Sequence, residues 1–514
     1  MIYTNDFFKI LNVRINLVIF VFFTICNLNL VCYSQNISIK IIDENTKLGI
    51  EYVSILLDNE ENLITNSEGI FTIIESKNKP TTTIAISHLG YGSLKFFLKD
   101  VKNNIVVIKP IIFNLETVEI SSKKLDVKSI MNSVKSNLKE NYTVINDVNA
   151  KKDVYFLRET NHLNPSILDF NITNSSDFSK QSLKAVNNQL SSLSTKLIKY
   201  PAKEFKDYLV ANYTLNKKAE KKYISKFEVI KATKLKNTDD SFSIDDLQKT
   251  AKNIFLTHLD TTKFYRVKSG LFGSRDTISI NDNYKKKKKI NPKLLDARFK
   301  VNNLIYKYNL NNKKFDFIHE IEKYEYKLVE SKYLNENEFV YIIEFKPKKN
   351  SAIYSGKMYV SDTDYSVLKL EYKLAEGKKG SGINLKFLLG VKSLETMSVN
   401  TIIFKKNSLG KAYIPHYISQ EEGEYIYLNR PLKFIEITNS EKDILALDIK
   451  IEVNTYNKIE FLNVSHIETS ESVIDNIIEK DFKFTTINKY DSNLWKNYIT
   501  LEPSQEMKQL KLNN

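Results

Sequence analysis

Glu338-Phe339-Val340-Tyr341-Ile342-Ile343-Glu344-Phe345-Lys346-Pro347 decides how this chain folds. Alternation with period two puts Phe339, Tyr341, Ile343 and Phe345 on one face of a strand. Pro347 closes the strand, because proline has no N–H to give to a ladder. Upstream, Tyr324-Glu325-Tyr326-Lys327-Leu328 alternates in the same way and runs into the polar turn Asn335-Glu336-Asn337. Downstream come Lys357-Met358-Tyr359-Val360 and Ser366-Val367-Leu368-Lys369-Leu370-Glu371-Tyr372. Ser361-Asp362-Thr363-Asp364 separates them, four residues whose side chains bond to local backbone and favour turns. The pattern predicts an antiparallel meander with one apolar face. Phe339, Tyr341, Ile343 and Phe345 are the candidate ligand-facing residues of that face.

The composition fits a β-rich reading. The 514 residues include 29 Tyr and 29 Phe but only 13 Gly and 9 Pro, and many aromatics with few breakers favour strands. That length accommodates several sizeable cores. The first 34 residues are expected to be a secretory signal peptide. Lys9 and Arg14 form a basic start, residues 15–31 are mostly apolar, and Cys32-Tyr33-Ser34 offers small residues before Gln35. A lipoprotein cleavage at Cys32 would need a smaller residue than Val31 before it. Both cysteines, Cys26 and Cys32, fall in this segment, so the exported chain would carry no disulfide, no cysteine nucleophile and no Cys-ligated metal. The formal charge of +15 barely depends on the leader. A basic exported protein is drawn to anionic surfaces such as lipid headgroups or acidic glycans, or is simply kept soluble by its charge. Nucleic acid is not an expected partner outside the cell.

Residues 35–122 read as a small β-sandwich. Short strands at Ile37–Ile41, Tyr52–Leu57, Ile70–Ile73, Thr83–Ser87 and Leu94–Leu98 are separated by turn signals such as Asn66-Ser67-Glu68-Gly69. Asp43 with Thr46, Glu51-Tyr52-Val53, Thr65–Phe71, Ser87-His88-Leu89-Gly90-Tyr91 and Leu115–Ile120 together resemble the carboxypeptidase regulatory-like domain, a transthyretin-like sandwich of seven strands. The resemblance implies a positive φ at Gly69, Tyr91 packed over the sandwich edge, and no hydrolysis by the module itself.

Residues 123–145 read as a connecting helix, with Val127, Ile130, Met131, Val134 and Leu138 at helical spacing. Residues 146–514 read as a larger β-rich envelope domain. Within it, Leu183–Leu197, Ile244–Leu256 and Pro292–Leu304 carry helical patterns and Tyr223–Lys234 a strand, while Asn171–Ser179 looks like a loop. Lys285, Lys286, Lys287, Lys288 and Lys289 form the strongest basic run and are the candidate contact to an anionic surface. Leu385–Leu389, Ser398–Lys406, Ala412–Gln420, Tyr425–Tyr427, Leu432–Ile437 and Ile444–Val453 read as successive short strands. They predict one curved sheet or half-barrel. A membrane barrel would need apolar bands of about 9–11 residues, longer than most of these. Across residues 36–510 the chain resembles exported proteins of outer-membrane bacteria that join such a sandwich to a β-rich domain. The carrying segments include Phe345-Lys346-Pro347-Lys348, Gly356–Val360, Asn493–Tyr498 and Leu501-Glu502-Pro503. The 339–373 strands are also similar to the curved sheet of periplasmic lipoprotein carriers.

Enzymatic patterns are weak. His319-x-x-Glu322 with distant His416 matches the zinc-ligand spacing of a carboxypeptidase, but it falls in the meander rather than in a mixed α/β sheet. Gly270-Leu271-Phe272-Gly273-Ser274 lacks the order of a nucleophile elbow. No cofactor is implied. The reading is therefore a mainly β protein of the periplasm or outer membrane with a non-enzymatic binding or scaffolding function. Its partner would be an outer-membrane protein or an anionic envelope surface. The alternative is a carrier of a lipid or acyl chain in a concave sheet, and a remote alternative is a zinc carboxypeptidase.

Overall fold

A computed structural model describes residues 36–74, 78–111, 126–143, 150–176, 179–217, 220, 222–237, 264–269, 272–279, 292–335, 338–407, 410–437 and 442–510. The protein is mainly β. Seven strands build the sandwich: β1 Ile37–Asp43, β2 Ser54–Leu57, β3 Glu61–Ile64, β4 Ile70–Ile73, β5 Thr83–Ser87, β6 Leu94–Phe97 and β7 Ile105–Ile108. They form two sheets, ordered β4-β1-β7 and β3-β2-β5-β6. Alternating residues such as Ile39, Ile41, Ile55, Phe71, Ile73 and Ile84 fill the space between them. Gly69 has φ +77°, and a Cβ there would stand 2.5 Å from Ile41 O. Only glycine fits that turn. Tyr91 donates its hydroxyl to Asp43 Oδ2 at 2.8 Å, while Asp43 Oδ1 accepts the N–H groups of Asn45 and Thr46.

The second body is one open sheet. Its strands are β8 Ala150–Ser175, β9 Ala202–Lys217, β10 Lys222–Lys236, β11 Phe264–Ser269, β12 Phe272–Ser279, β13 Tyr324–Asn335, β14 Glu338–Pro347, β15 Tyr354–Ser361, β16 Val367–Leu374, β17 Gly382–Leu385, β18 Val391–Lys406, β19 Tyr413–Glu436, β20 Lys442–Glu468 and β21 Thr485–Ile487. The ladder runs β13-β14-β15-β16-β18-β19-β20-β8-β9-β10-β21 and does not close on itself. The meander of β13 to β16 is antiparallel, with Ile343 opposite Leu328 on one side and Met358 on the other.

The strands after the meander correct the sequence reading. Three short strands predicted between 412 and 437 are one strand of 24 residues, and β20 runs for 27. Residues 171–175, read as loop, end β8. Leu385–Leu389 is not a strand; β17 ends at Leu385 and a helical turn, Lys386–Leu389, follows. Among the described residues, no helix is long and apolar enough to cross a membrane. The helical pattern at 244–256 lies outside the described residues.

Helices fill one face of this sheet. Helix α1, Val127–Tyr142, starts with Asp126 accepting the Lys128 N–H and buries Ile130, Met131, Val134, Leu138 and Tyr142. The expectation placed it between the two bodies. Instead it packs with helix α3, Pro292–Lys307, and the segment Phe315–Ile318 against residues from β13 through β18 and from β8 through β10 in one continuous core. Helix α2, Lys180–Lys199, covers a smaller cluster near Ile172 and Leu447. The sandwich sits on the opposite face of the sheet. Its core continues into Phe156, Leu209, Tyr417, Leu462 and Val464 of the sheet and into Trp495, Ile499 and Leu501 of the C-terminal segment. That segment staples the two bodies together. Trp495 donates to Thr233 Oγ1, Glu502 accepts from Thr72 of the sandwich at 2.6 Å, and Arg158 of the sheet donates to the carbonyls of Leu501 and Glu502.

Candidate functional site

Two concavities stand out among the described residues, on opposite sides of the sheet. The larger, about 700 Å³, crosses the outward face of the meander. Its walls carry Glu325, Lys327, Glu344, Lys346, Lys357, Glu371 and Lys373. Ion pairs neutralise most of these charges: Lys346 with Glu325 at 3.0 Å and Lys357 with Glu344 at 3.2 Å across strands, and Lys369 with Glu371 at 2.6 Å along β16. A ligand would have to break pairs that already satisfy one another.

The second cavity, about 560 Å³, opens where the helical layer meets the start of β8, the end of β9 and the start of β10. The sheet contributes Lys151, Asp153, Asn212, Thr214 and Tyr223; the end of α3 and the turn after it contribute Asn302, Tyr306, Asn309, Asn311 and Asn312. The position follows from local chemistry. Asn309 N–H groups hold the Tyr142 carbonyl at 2.8 Å, so the turn after α3 is pinned to the end of α1. Asn309 and Asn312 also accept backbone N–H groups with their side-chain oxygens, which fixes the turn itself. The side-chain amides of Asn302 and Asn311 have no partner among the described residues. The rings of Tyr223 and Tyr306 stand 57% and 73% exposed at the same cavity.

Asp153 forms the floor. It lies 2.6 Å from His466 Nδ1 and 3.0 Å from Lys151 Nζ. Burial pushes its carboxyl up, but the hydrogen bonds and charges of His466 and Lys151 outweigh it and hold the group below the usual carboxylate range. Lys151 offsets the Asp153 carboxylate, so the cavity presents polar groups with little net charge.

The residues singled out from sequence are placed as follows. Phe339, Tyr341, Ile343 and Phe345 do share a face. Ile343 and Phe345 are buried in the filled core, with the Phe345 ring stacked on Phe317 at 4.4 Å, while Phe339 and Tyr341 are half-buried at the end of the strand. The face that would have held an acyl chain is occupied by α1, α3 and Phe317. Lys285–Lys289 lies outside the described residues. His319 Nε2 donates to Leu310 O at 3.0 Å, and His416 is buried against Ser54 Oγ at 3.2 Å in the sandwich–sheet contact. Among the described residues no three His, Cys, Asp or Glu side chains come together in a way that could hold a metal ion.

Sequence reading missed the polar cavity entirely. Its residues come from four segments spread over residues 151–312, and Asn309-Leu310-Asn311-Asn312 reads locally as an ordinary turn. The one available signal was the density of asparagine there. No family model matches the chain, and no curated protein matches it.

Proposed function

We propose that this chain is a non-enzymatic binding protein of the cell envelope, and that the cavity between α3, the start of β8, the end of β9 and the start of β10 takes a neutral, hydroxyl-rich ligand such as a sugar residue of an envelope glycan. One observation carries the reading: two exposed tyrosine rings, Tyr223 and Tyr306, flank a cavity that also holds the unspent amides of Asn302 and Asn311. An amide offers a donor and an acceptor together, which matches the paired hydroxyls of a sugar. An aromatic ring supplies apolar contact area for the C–H face of the same sugar while its hydroxyl stays wet. Pockets of this size suit small ligands oriented by a few placed polar groups. Export through the expected leader supports the envelope setting. The seven-stranded sandwich supports the resemblance to regulatory-like modules that accompany other functions without performing catalysis.

Saturation-transfer NMR with neutral and acidic disaccharides tests this directly. Neutral sugars are expected to receive saturation from the protein, and Tyr306→Ala with Asn302→Ala is expected to abolish the transfer. No transfer to any neutral sugar, or transfer unchanged in the variant, would sink the reading.

A further inference from the structure

The hairpin that leaves β17 carries the most exposed apolar side chains of the described molecule. Phe387 is 102% exposed and Leu388 81%, with Ile383 at 58% and Leu385 at 37%. They lie together because β17 pairs with β18 only from Gly382 to Leu385, and the helical turn Lys386–Leu389 then projects past the end of that pairing. Exposing such residues has a free-energy cost of order 1.5–3 kcal/mol each relative to burial, so a patch of this kind marks an interaction site.

The tip is built to stay out. Gly390 ends the turn with φ +64° and returns its N–H to Lys386 O at 3.0 Å. Its carbonyl accepts the Asn429 N–H at 2.7 Å, and a Cβ at this position would fall 2.0 Å from Asn429 O. A larger residue does not fit there. The apolar residues are thus held by the long β18–β19 ladder rather than hanging on a loose loop.

The surroundings of the tip say what covers it. Lys386 lies 4.1 Å from the Tyr427 ring centroid and Lys392 5.3 Å from that of Tyr425. Arg430 and, opposite Asn429 on β20, Lys450 stand at the same end. Acids stand at this end too: Glu424, Glu395 and Glu452 are engaged by Ser393, Ser381 and Tyr425, while Asp169 lies opposite Lys450 and Asp448 opposite Pro431, behind the turn. An apolar tip with half-buried tyrosines behind it and Lys386, Lys392 and Arg430 nearest the turn is the arrangement of a segment that enters a bilayer interface. Phe and Leu reach the acyl boundary, Tyr sits at the headgroup level, and Lys and Arg meet anionic headgroups. A protein partner is a poorer fit. Four side chains on a convex tip fall short of the roughly 800 Å² per partner that a stable interface buries.

We infer that the Ile383–Leu388 tip inserts into the surface of an anionic lipid bilayer and holds the protein peripherally on a membrane. The inference is independent of the sugar reading, since the tip and the polar cavity share no residue.

A tryptophan at the tip tests it in the full chain. Leu388→Trp places the reporter at an exposed position, while the natural Trp495 is buried at 6% exposure and contributes a constant background. With vesicles of phosphatidylglycerol and phosphatidylethanolamine, the added emission is expected to shift to the blue and to be quenched by brominated phosphatidylglycerol. Vesicles of phosphatidylcholine alone are expected to produce a much weaker effect. Adding Phe387→Ser to the reporter chain should weaken the titration by about tenfold or more, the loss of one buried aromatic side chain. Lys386→Glu with Lys392→Glu should remove the preference for anionic lipid. Unchanged emission with every vesicle would overturn the inference. So would a blue shift that appears with rising protein concentration in the absence of lipid, which would assign the tip to a second copy of this chain.

Discussion

Arg158 on β8 faces Asp207 on β9 with two parallel hydrogen bonds of 2.8 Å, Nε to Oδ1 and Nη2 to Oδ2, and both side chains are almost fully buried. The donors left over hold the carbonyls of Leu501 and Glu502 at 3.1 and 3.0 Å. One guanidinium therefore joins two strands of the sheet to the segment that staples the sandwich onto it. Arg158→Met is expected to leave Asp207 buried and unpaired and to cost about 3–5 kcal/mol. Adding Asp207→Leu should recover much of that loss, because the stranded charge goes with it. Urea unfolding of the two variants checks this. Limited proteolysis should also cut the 502–510 segment faster in the single variant.

Gly356 lies between Phe345 and Tyr372 in the ladder, where a Cβ would fall 2.0 Å from Glu371 O and 2.8 Å from Tyr372 Cα. β15 and β16 approach closely there, beneath the charged cleft. Gly356→Ala is expected to force the strands apart and to destabilise by about 1–3 kcal/mol. A thermal unfolding scan would show it as a lower Tm.

His416 is buried where the sandwich meets β19, with Ser54 Oγ as its hydrogen-bond partner. Burial pushes its imidazole well below the usual histidine range, and the Lys405 charge adds to the effect. An unfolded histidine takes a proton near pH 6.5, whereas the folded one does not. The unfolded chain thus binds more protons below that pH, and stability falls as pH drops from about 6.5. His416→Gln is expected to flatten this loss. Comparing Tm at pH 7 and pH 5 for both proteins would decide it, with an equal acid drop counting against the assignment.

Lys314 carries a buried amino group with no hydrogen-bond partner among the described residues, 3.9 Å from the Tyr308 ring centroid. Burial, with Lys307 nearby, lowers it to about 6. Between that value and the ordinary lysine range near 10.4, the unfolded state holds more protons and stability rises with pH. Lys314→Met should remove the penalty, raising stability at pH 7 by on the order of 2 kcal/mol and abolishing the rise toward pH 10. Denaturant midpoints at the two pH values measure both effects.

Local periodicity determined a large part of this fold. The alternation of Phe339, Tyr341, Ile343 and Phe345 specifies a strand with one apolar face, and the spacing of Ile130, Met131, Val134 and Leu138 specifies a helix with one apolar stripe. Both patterns depend only on the chain's own geometry, and both elements form where they were read, although Val340 and Ile342 on the strand's other face are buried as well. The turn Asn66-Ser67-Glu68-Gly69 was legible from its residue types, while the positive φ at Gly69 was what the resemblance to the regulatory-like domain implied.

Strand length, by contrast, was decided by neighbours. Gly423 and Pro431 look like breaks, yet both lie inside β19. Gly423 is held between Met397 and Tyr456. Pro431 pairs with Asp448 on one side, and on the other falls in the gap between Leu428, where β18 ends, and Leu432, where β11 begins. Its missing N–H costs nothing where no strand asks for it. The filling of the apolar face was equally invisible, since period two places Ile343 inward whether a ligand or Phe317 waits there. The polar cavity and the apolar tip depend on the same long-range order. Asparagines and tyrosines from distant segments meet only because α3 docks on β10, and Phe387 is exposed only because the β17 pairing stops at Leu385. Sequence spacing fixes which way a side chain points along its own strand or helix; what stands opposite it is set by packing between segments far apart in the chain.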